Sequence, residues 1–364
     1  MNIPHVTIFT HIPSPYQVEF FDALSADSRI ALRIVYVERS CDSRGWSVPP
    51  LENQTYTALS DGRVAEATAA EWAHGADLTV FSWYCDRRIR RLIEQREKSH
   101  NPWCYWGERP GFSQWKFLSH LRRKQLLKPL FRSRAPVWGI GNWAVAAWRS
   151  ELGDRRQYFN IPYFSDLSRF FRRSIQTPRE LGIRRILFSG SLIYRKGIDL
   201  LARAFAQVAR ESPQLRLDIL GSGKLKSSIS STLRDCANQV RFLGFRQWSE
   251  LPEIYQAADV LCAPSRYDGW GMIIPEGLAA GLPVISTDRM GAAMDLVQDE
   301  VNGWKLAAGH QDDLERALRT VANLTDSQLD AMSRAATSSA VQHSLQGGVD
   351  RFCEVVTGTL ATFS

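Results

Sequence analysis

Two Rossmann-like α/β domains are what this chain's sequence predicts, and three observations carry that expectation. The chain has 364 residues, a length that suits two compact domains better than one. Short, near-continuous apolar runs alternate with stretches of helical periodicity, which is the pattern of parallel sheets covered on both faces. The same rhythm runs through the first half and again through the second, without an internal repeat of roughly 20–50 residues.

In the first half HVTIFT (5–10), ALRIVYVE (31–38), DLTVFS (77–82), WCYW (103–106) and PVWGIG (136–141) read as strands. YQVEFFDALSA (16–26) reads as a helix, with Val18, Phe20, Phe21 and Leu24 on one side. The second half offers RRILFSG (184–190), QLRLDILGSG (214–223), QVRFLGF (239–245), ADVLCAPS (258–265) and LPVIST (282–287) as strands. GIDLLARAFAQVARES and SELPEIYQAA lie between them as helical stretches. The passage between halves falls in 160–181, which has two prolines and few periodic positions. The expected domains are 1–163 and 164–344, with a terminal helix (345–364) after Gly347 and Gly348 returning to the first domain.

Hydrophobic residues make up 44% and charged residues 23% of the chain, so a core forms without metal or disulfide staples. The cysteines Cys41, Cys85, Cys104, Cys236, Cys262 and Cys353 include no C-x-x-C pair and no zinc-ligand spacing. Reduced, buried thiols in a cytoplasmic protein are expected. The N-terminus has no basic leader, Pro4 and Pro13 interrupt it, and it does not read as a signal peptide. No run reaches the roughly 18 apolar residues of a membrane span. The net charge of +7 is concentrated in KFLSHLRRKQLLKPLFRSR (116–134), which holds no acid, and in RRIRR (87–91). Such segments favour anionic partners, here the inner face of a membrane rather than nucleic acid. The alternative is a solvated helix face with its apolar side on the core.

Several chemistries are excluded by motif. No G-x-G-x-x-G follows a strand, so nicotinamide and flavin binding lack their fingerprint. GSGKL (221–225) is not a P-loop, because that pattern needs Gly where Asp218 stands and Ser or Thr where Leu225 stands. There is no G-x-S-x-G and no H-E-x-x-H.

YDGWGMIIPEG (267–277) is the informative stretch. It lies at the carboxyl end of the strand expected at 258–265, where open α/β sheets bind ligands. Gly269 and Gly271 let backbone approach a phosphate. Pro275 suits a first helical turn, and the start of a helix offers amides and a positive dipole end to an anion. A carboxylate there repels phosphate, so Glu276 is better placed to accept hydrogen bonds from vicinal hydroxyls, as an acid does for a ribose. The plainer alternative is an acid supporting its own helix start, worth about 0.3–1 kcal/mol.

PSRYDGWGMIIPEGLAAGLPVIST resembles the E-x7-E signature of glycosyltransferase family 4, of the GT-B fold. FSGSLIYRKGIDLLARAF, ILGSGKL, FLGF and MGAAMDLVQDEVNGW are similar to that family's elements in the same order, over about 184–306. PSPYQVEFFDAL, ERPG and IPYF are weaker matches. The resemblance implies two domains facing each other across a cleft. It also implies retaining transfer of a sugar from a nucleotide donor, with neither metal nor other cofactor. By similarity Glu276 holds the ribose, Asp268 lies near the donor sugar, and the amides of Gly271, Met272 and Ile273 contact the diphosphate or sugar. Lys196 neutralises the diphosphate, and charge growing on the leaving phosphate is a physical reason for a cation there. Gly190, Gly223, Lys224, Leu225, Gly269, Phe245 and Arg246 complete the donor set, the last two against the base. Two departures stand out. The family's first acid is usually Glu and here is Asp268. Its usual Gly-Arg reads Gly190-Ser191, leaving Arg195 as a substitute cation.

The acceptor side is expected from the first domain. His11, Ser14, Tyr16 and Gln17 follow its first strand, with His11 a polar contact near the reaction centre. Glu108 and Arg109 follow the strand at 103–106, as does Trp106, for which core packing is the simpler role. Asn142 and Trp143 follow the strand at 136–141. Asp268, Glu276, Lys196 and His11 are the catalytic candidates. The expected function is transfer from a UDP-sugar, favoured over a GDP-sugar, to a glycan or lipid-linked acceptor. A sugar-nucleotide epimerase of the same fold and a non-catalytic binder of membranes or polyanions are the rival readings.

Overall fold

The structure is a computed structural model. It describes residues 3–40, 47–111, 116–171 and 182–363, with only the backbone of Lys116 and Phe117. Cys41 and residues 172–181 of the expected inter-domain passage lie outside the described residues. The chain divides into two compact units, residues 1–166 with 344–364, and residues 167–343.

The first unit holds β1 (His5–Thr10), β2 (Ala31–Tyr36), β3 (Tyr56–Ala58), β4 (Leu78–Phe81), β5 (Trp103–Gly107), β6 (Val137–Gly139) and β7 (Tyr158–Asn160). They form one parallel sheet in the order β3-β2-β1-β4-β5-β6-β7. The second unit holds β8 (Arg184–Ser189), β9 (Leu215–Leu220), β10 (Val240–Gly244), β11 (Val260–Ala263), β12 (Val284–Thr287) and β13 (Gly303–Leu306). These are also parallel, in the order β10-β9-β8-β11-β12-β13. Both units are thus Rossmann-like, as the alternating pattern predicts. β3, β7 and β13 had no counterpart among the sequence-predicted strands. All three are edge strands of three or four residues with mostly half-buried side chains, so they carry no continuous apolar run.

The helix Pro15–Ser25 buries Val18, Phe20, Phe21 and Leu24. In the first unit Phe9, Val35, Phe81, Trp103, Tyr105, Val137 and Trp148 share one core cluster. The terminal helix Leu345–Leu360 belongs to this unit. Its Phe352 meets Phe20, Trp106 and Trp138 edge-on, and Thr359 accepts the Trp138 indole N–H at 2.9 Å. The second unit's core joins Ile186, Leu217, Ile219, Val260 and Ile285 of the sheet to Leu201, Phe205, Leu318 and Val321 of its helices.

Cys104, Cys236, Cys262 and Cys353 are buried free thiols, but Cys85 is exposed, which corrects the expectation for that residue. It stands in the loop after β4, beyond the core-facing strand residues. Among the described residues no helix is long and apolar enough to cross a membrane.

Candidate functional site

Strand order in the second unit reverses between β8 and β11, and such a switch point opens a crevice at the carboxyl ends of the strands. The loop after β8 carries Gly190, Ser191, Arg195 and Lys196; the loop after β11 carries Tyr267, Asp268, Gly269, Trp270 and Gly271. The fold therefore brings the two sequence-predicted donor segments side by side.

The two loops are tied together by charge and backbone. Arg266 N–H donates to the Arg195 carbonyl at 2.9 Å. The Arg266 guanidinium grips Asp199 through two bonds of 2.6 and 2.7 Å, also bonds the Tyr194 carbonyl, and lies 3.6 Å over the Tyr194 ring. Burial disfavours the charge on Asp199, but the bond from Arg266 and its charge outweigh this and hold the carboxyl below its ordinary value. Gly197 makes the close approach possible. Its φ is +73°, and a Cβ there would sit 1.9 Å from the Pro264 carbonyl oxygen. Nothing in the sequence marks Arg266, whose partner lies 67 residues away.

Within this frame Lys196 Nζ pairs with Asp268 Oδ2. Arg195 stands 3.6 Å from the same oxygen and donates to the Tyr267 carbonyl at 2.9 Å. The expected diphosphate cation and the expected sugar-facing acid are therefore joined to each other. Two cations thus face one carboxylate oxygen of Asp268. A Cβ at Gly190 would meet the Lys196 stem at 3.9 Å. Asp268 N–H donates to the Arg289 carbonyl and Ala292 N–H to that of Trp270, both at 2.9 Å, so the loop after β12 supports the acidic loop from behind.

The helix Ile273–Ala279 follows, and its first hydrogen bond runs from Ile274 N–H to the Gly271 carbonyl at 3.0 Å. Gly271, Met272 and Ile273 precede that bond, so their amides lie at the start of the turn. Gly271 has φ +91°, and a side chain there would run into Met290. Glu276 is buried at 6% exposure and accepts a 3.1 Å hydrogen bond at Oε2 from the hydroxyl of Tyr255, itself fully buried. Trp270 is buried, and its indole Nε1 has no hydrogen-bond partner among the described residues.

The remaining donor candidates are spread more widely. Phe245 is exposed, and Arg246 pairs with Glu250 one helical turn on at 3.2 Å. Leu225 packs on the core cluster, and Gly223 lies against the Leu192 carbonyl. Lys224 lines a shallow hollow with Lys226, Ser230 and Arg234.

The first unit has its own switch point, between β1 and β4. His11 after β1 stacks face to face on Trp83 after β4, with centroids 4.1 Å apart and planes 8° apart. Tyr16 meets Tyr163 at 4.9 Å, and the Arg109 guanidinium lies 4.4 Å over Trp143. Ser14 and Gln17 are buried and bonded to each other at 2.7 Å; they brace the turn into the helix Pro15–Ser25. Trp106 is core, its indole N–H given to the Ile161 carbonyl, and the Glu108 carbonyl accepts from Trp148. In the basic stretch, Arg123 and His120 both bond Glu151, at 2.8 and 2.7 Å, so part of that charge is internally neutralised. Leu118, Leu121, Arg122 and Lys124 remain exposed.

Residues 173–338 match the family described as glycosyl transferases group 1. With the two Rossmann-like units, this supports the GT-B glycosyltransferase superfamily. The chain is similar to an uncharacterized glycosyltransferase of Methanocaldococcus jannaschii, 33% identical over 39% of this chain and 37% of the relative. It is also similar to a GDP-mannose-dependent monoacylated alpha-(1-6)-phosphatidylinositol monomannoside mannosyltransferase of Corynebacterium glutamicum, 28% identical over 42% of this chain and 44% of the relative. The chain thus matches less than half the length of these curated relatives. The crystal structure of Anabaena HepE in complex with UDP shares the fold, with a TM-score of 0.75 at 17% identity over 97% of this chain and 99% of that one.

Proposed function

We propose that this chain is a retaining glycosyltransferase. It moves a sugar from a nucleotide-sugar donor, UDP-linked in preference to GDP-linked, to a glycan or lipid-linked acceptor in surface polysaccharide or glycoconjugate synthesis. The observation that carries the reading is the convergence of Lys196, Arg195, Asp268 and the loop before Glu276 at the β8/β11 switch point. The family match supports transfer chemistry, and a UDP complex among the structures of the same fold supports the uridine donor.

In this mechanism the donor diphosphate draws Lys196 away from Asp268, leaving Arg195 beside the acid. Lys196 and the amides of Gly271, Met272 and Ile273 then stabilise charge that grows on the leaving phosphate. The glycosidic C–O bond breaks, and the acceptor oxygen bonds the anomeric carbon on the same face. The leaving phosphate oxygen takes the acceptor proton. Asp268, released from Lys196, faces the donor sugar, and His11 contacts the acceptor side. The base rests near Phe245 and Arg246.

Titration calorimetry with UDP-glucose and GDP-mannose tests the donor. Micromolar binding of a UDP-sugar, weakened at least about tenfold in Lys196→Ala, is the expected result; binding of neither donor would sink the reading. Retention is read from the anomeric proton coupling of the product, and an inverted anomer would refute it.

The exposed Leu118 and Leu121 beside Arg122 and Lys124 support attachment of this face to an anionic membrane. Flotation with phosphatidylglycerol vesicles should fall with salt and in the Arg122→Glu/Lys124→Glu variant. Salt-insensitive flotation would contradict it.

A further inference from the structure

Tyr255 stands outside every motif read from the sequence. It sits on the short helix Leu251–Gln256, fully buried, with its ring edge-on to Phe170 at 5.3 Å. Its neighbour Gln256 bonds the carbonyls of Arg169, Phe170 and Phe171 at 3.3–3.5 Å. The helix is therefore anchored within its unit independently of Glu276.

From this anchored position the Tyr255 hydroxyl donates to Glu276 Oε2 at 3.1 Å. Burial pushes the phenol well above its ordinary value, and the charge of Glu276 pushes it further. The hydroxyl accordingly keeps its proton at neutral pH and is the donor in this bond. A buried carboxylate and a buried hydroxyl are each costly when unpaired, and a hydrogen bond to a charged acceptor is directional. A tyrosine fixed on a second element therefore holds one carboxylate oxygen, Oε2, and restrains how the carboxylate plane is turned.

We infer that Tyr255 is a positioning residue for Glu276, setting the orientation in which the acid receives the vicinal hydroxyls of the donor's ribose. This rests on the nucleotide-sugar reading above. Tyr255 does not touch the donor; it acts through the acid.

A tyrosine that only filled space would affect every nucleotide alike, whereas a positioning tyrosine affects those that carry the ribose hydroxyls. Titration calorimetry of the full chain with UDP, GDP and their 2′,3′-dideoxy counterparts separates the two. The parent should prefer the hydroxylated nucleotide. Tyr255→Phe should weaken that nucleotide about tenfold and its dideoxy counterpart less than about twofold, the size expected for a lost hydrogen bond to a charged group. The preference should then match that of Glu276→Ala, and the double variant should lower it no further. Tyr255→Met, which also fills the space without a hydroxyl, gives the same comparison where the phenylalanine variant does not fold. An unchanged preference in Tyr255→Phe, or equal weakening of both nucleotides, overturns the inference, as does a parent that binds without preferring the hydroxylated form. Binding of neither UDP nor GDP by the parent would be a different failure, that of the nucleotide-sugar reading itself.

Discussion

The β8/β11 crossing and the β1/β4 crossing are the same topological feature built from different chemistry. At β8/β11 the loops are locked by charge: Arg266 on Asp199, and Lys196 with Arg195 on Asp268. At β1/β4 and its neighbouring loops they are arranged by rings: His11 on Trp83, Tyr16 on Tyr163, and Arg109 over Trp143. Cations gathered on one loop suit a ligand whose charge grows during reaction. Flat aromatic faces suit a neutral ring with an apolar side. The difference is what a donor diphosphate in one unit and a glycan acceptor in the other would require.

Three substitutions test that contrast, in decreasing order of expected effect. Gly197→Val forces a β-branched residue into φ +73° and drives a Cβ to 1.9 Å from the Pro264 carbonyl. A loss of about 3 kcal/mol or more in urea unfolding is expected, and a loss near zero would mean that the loops do not need this approach.

Arg266→Ala removes the lock but not the glycine. It leaves Asp199, whose side chain is 18% exposed, with only the looser Arg203 pair at 3.4 Å, and should cost about 2 kcal/mol at neutral pH. Its pH dependence sharpens the point. Asp199 lies below its ordinary 3.8 in the folded chain, so its contribution is full above that value and is lost as pH falls through the folded pKa. Unfolding titrations in acid should show a smaller drop in Arg266→Ala than in the parent. An identical acid limb in both would count against the pairing.

Trp83→Leu, which keeps an apolar side chain against the core cluster that Trp83 borders, is the mildest of the three. Unstacking His11 should cost about 1 kcal/mol and move the His11 ring-proton resonances downfield as the indole ring current is lost. If it cost more than Arg266→Ala, the contrast between an ionic and an aromatic crossing would be inverted.

The central strands were legible because burial on both faces demands an apolar run, as in ILFS (186–189) and DVLCA (259–263). β3, β7 and β13 were not, because an edge strand takes its identity from the neighbour it pairs with. The site divides in the same way. Gly271, Pro275 and Glu276 were legible together, since a turn, a helix start and an acid lie within one short stretch. Tyr255, Arg266 and Trp83 were not, since each matters through a partner 21, 67 or 72 positions away. The pairing of Ser14 with Gln17 was no more legible. They are polar residues after a strand, and their bond to each other is invisible until the turn is built.

By itself the sequence determined the two parallel α/β units and the kind of group each loop presents. These follow from hydrophobic period and backbone freedom, which act over a few residues. Only the tertiary structure decided which charges meet. Lys196 joins Asp268 across 72 residues, and Arg123, in a stretch without a single acid, finds Glu151 on another helix. An ion pair is selected by the separation of two groups in space, and that distance exists only once the strands have been set side by side.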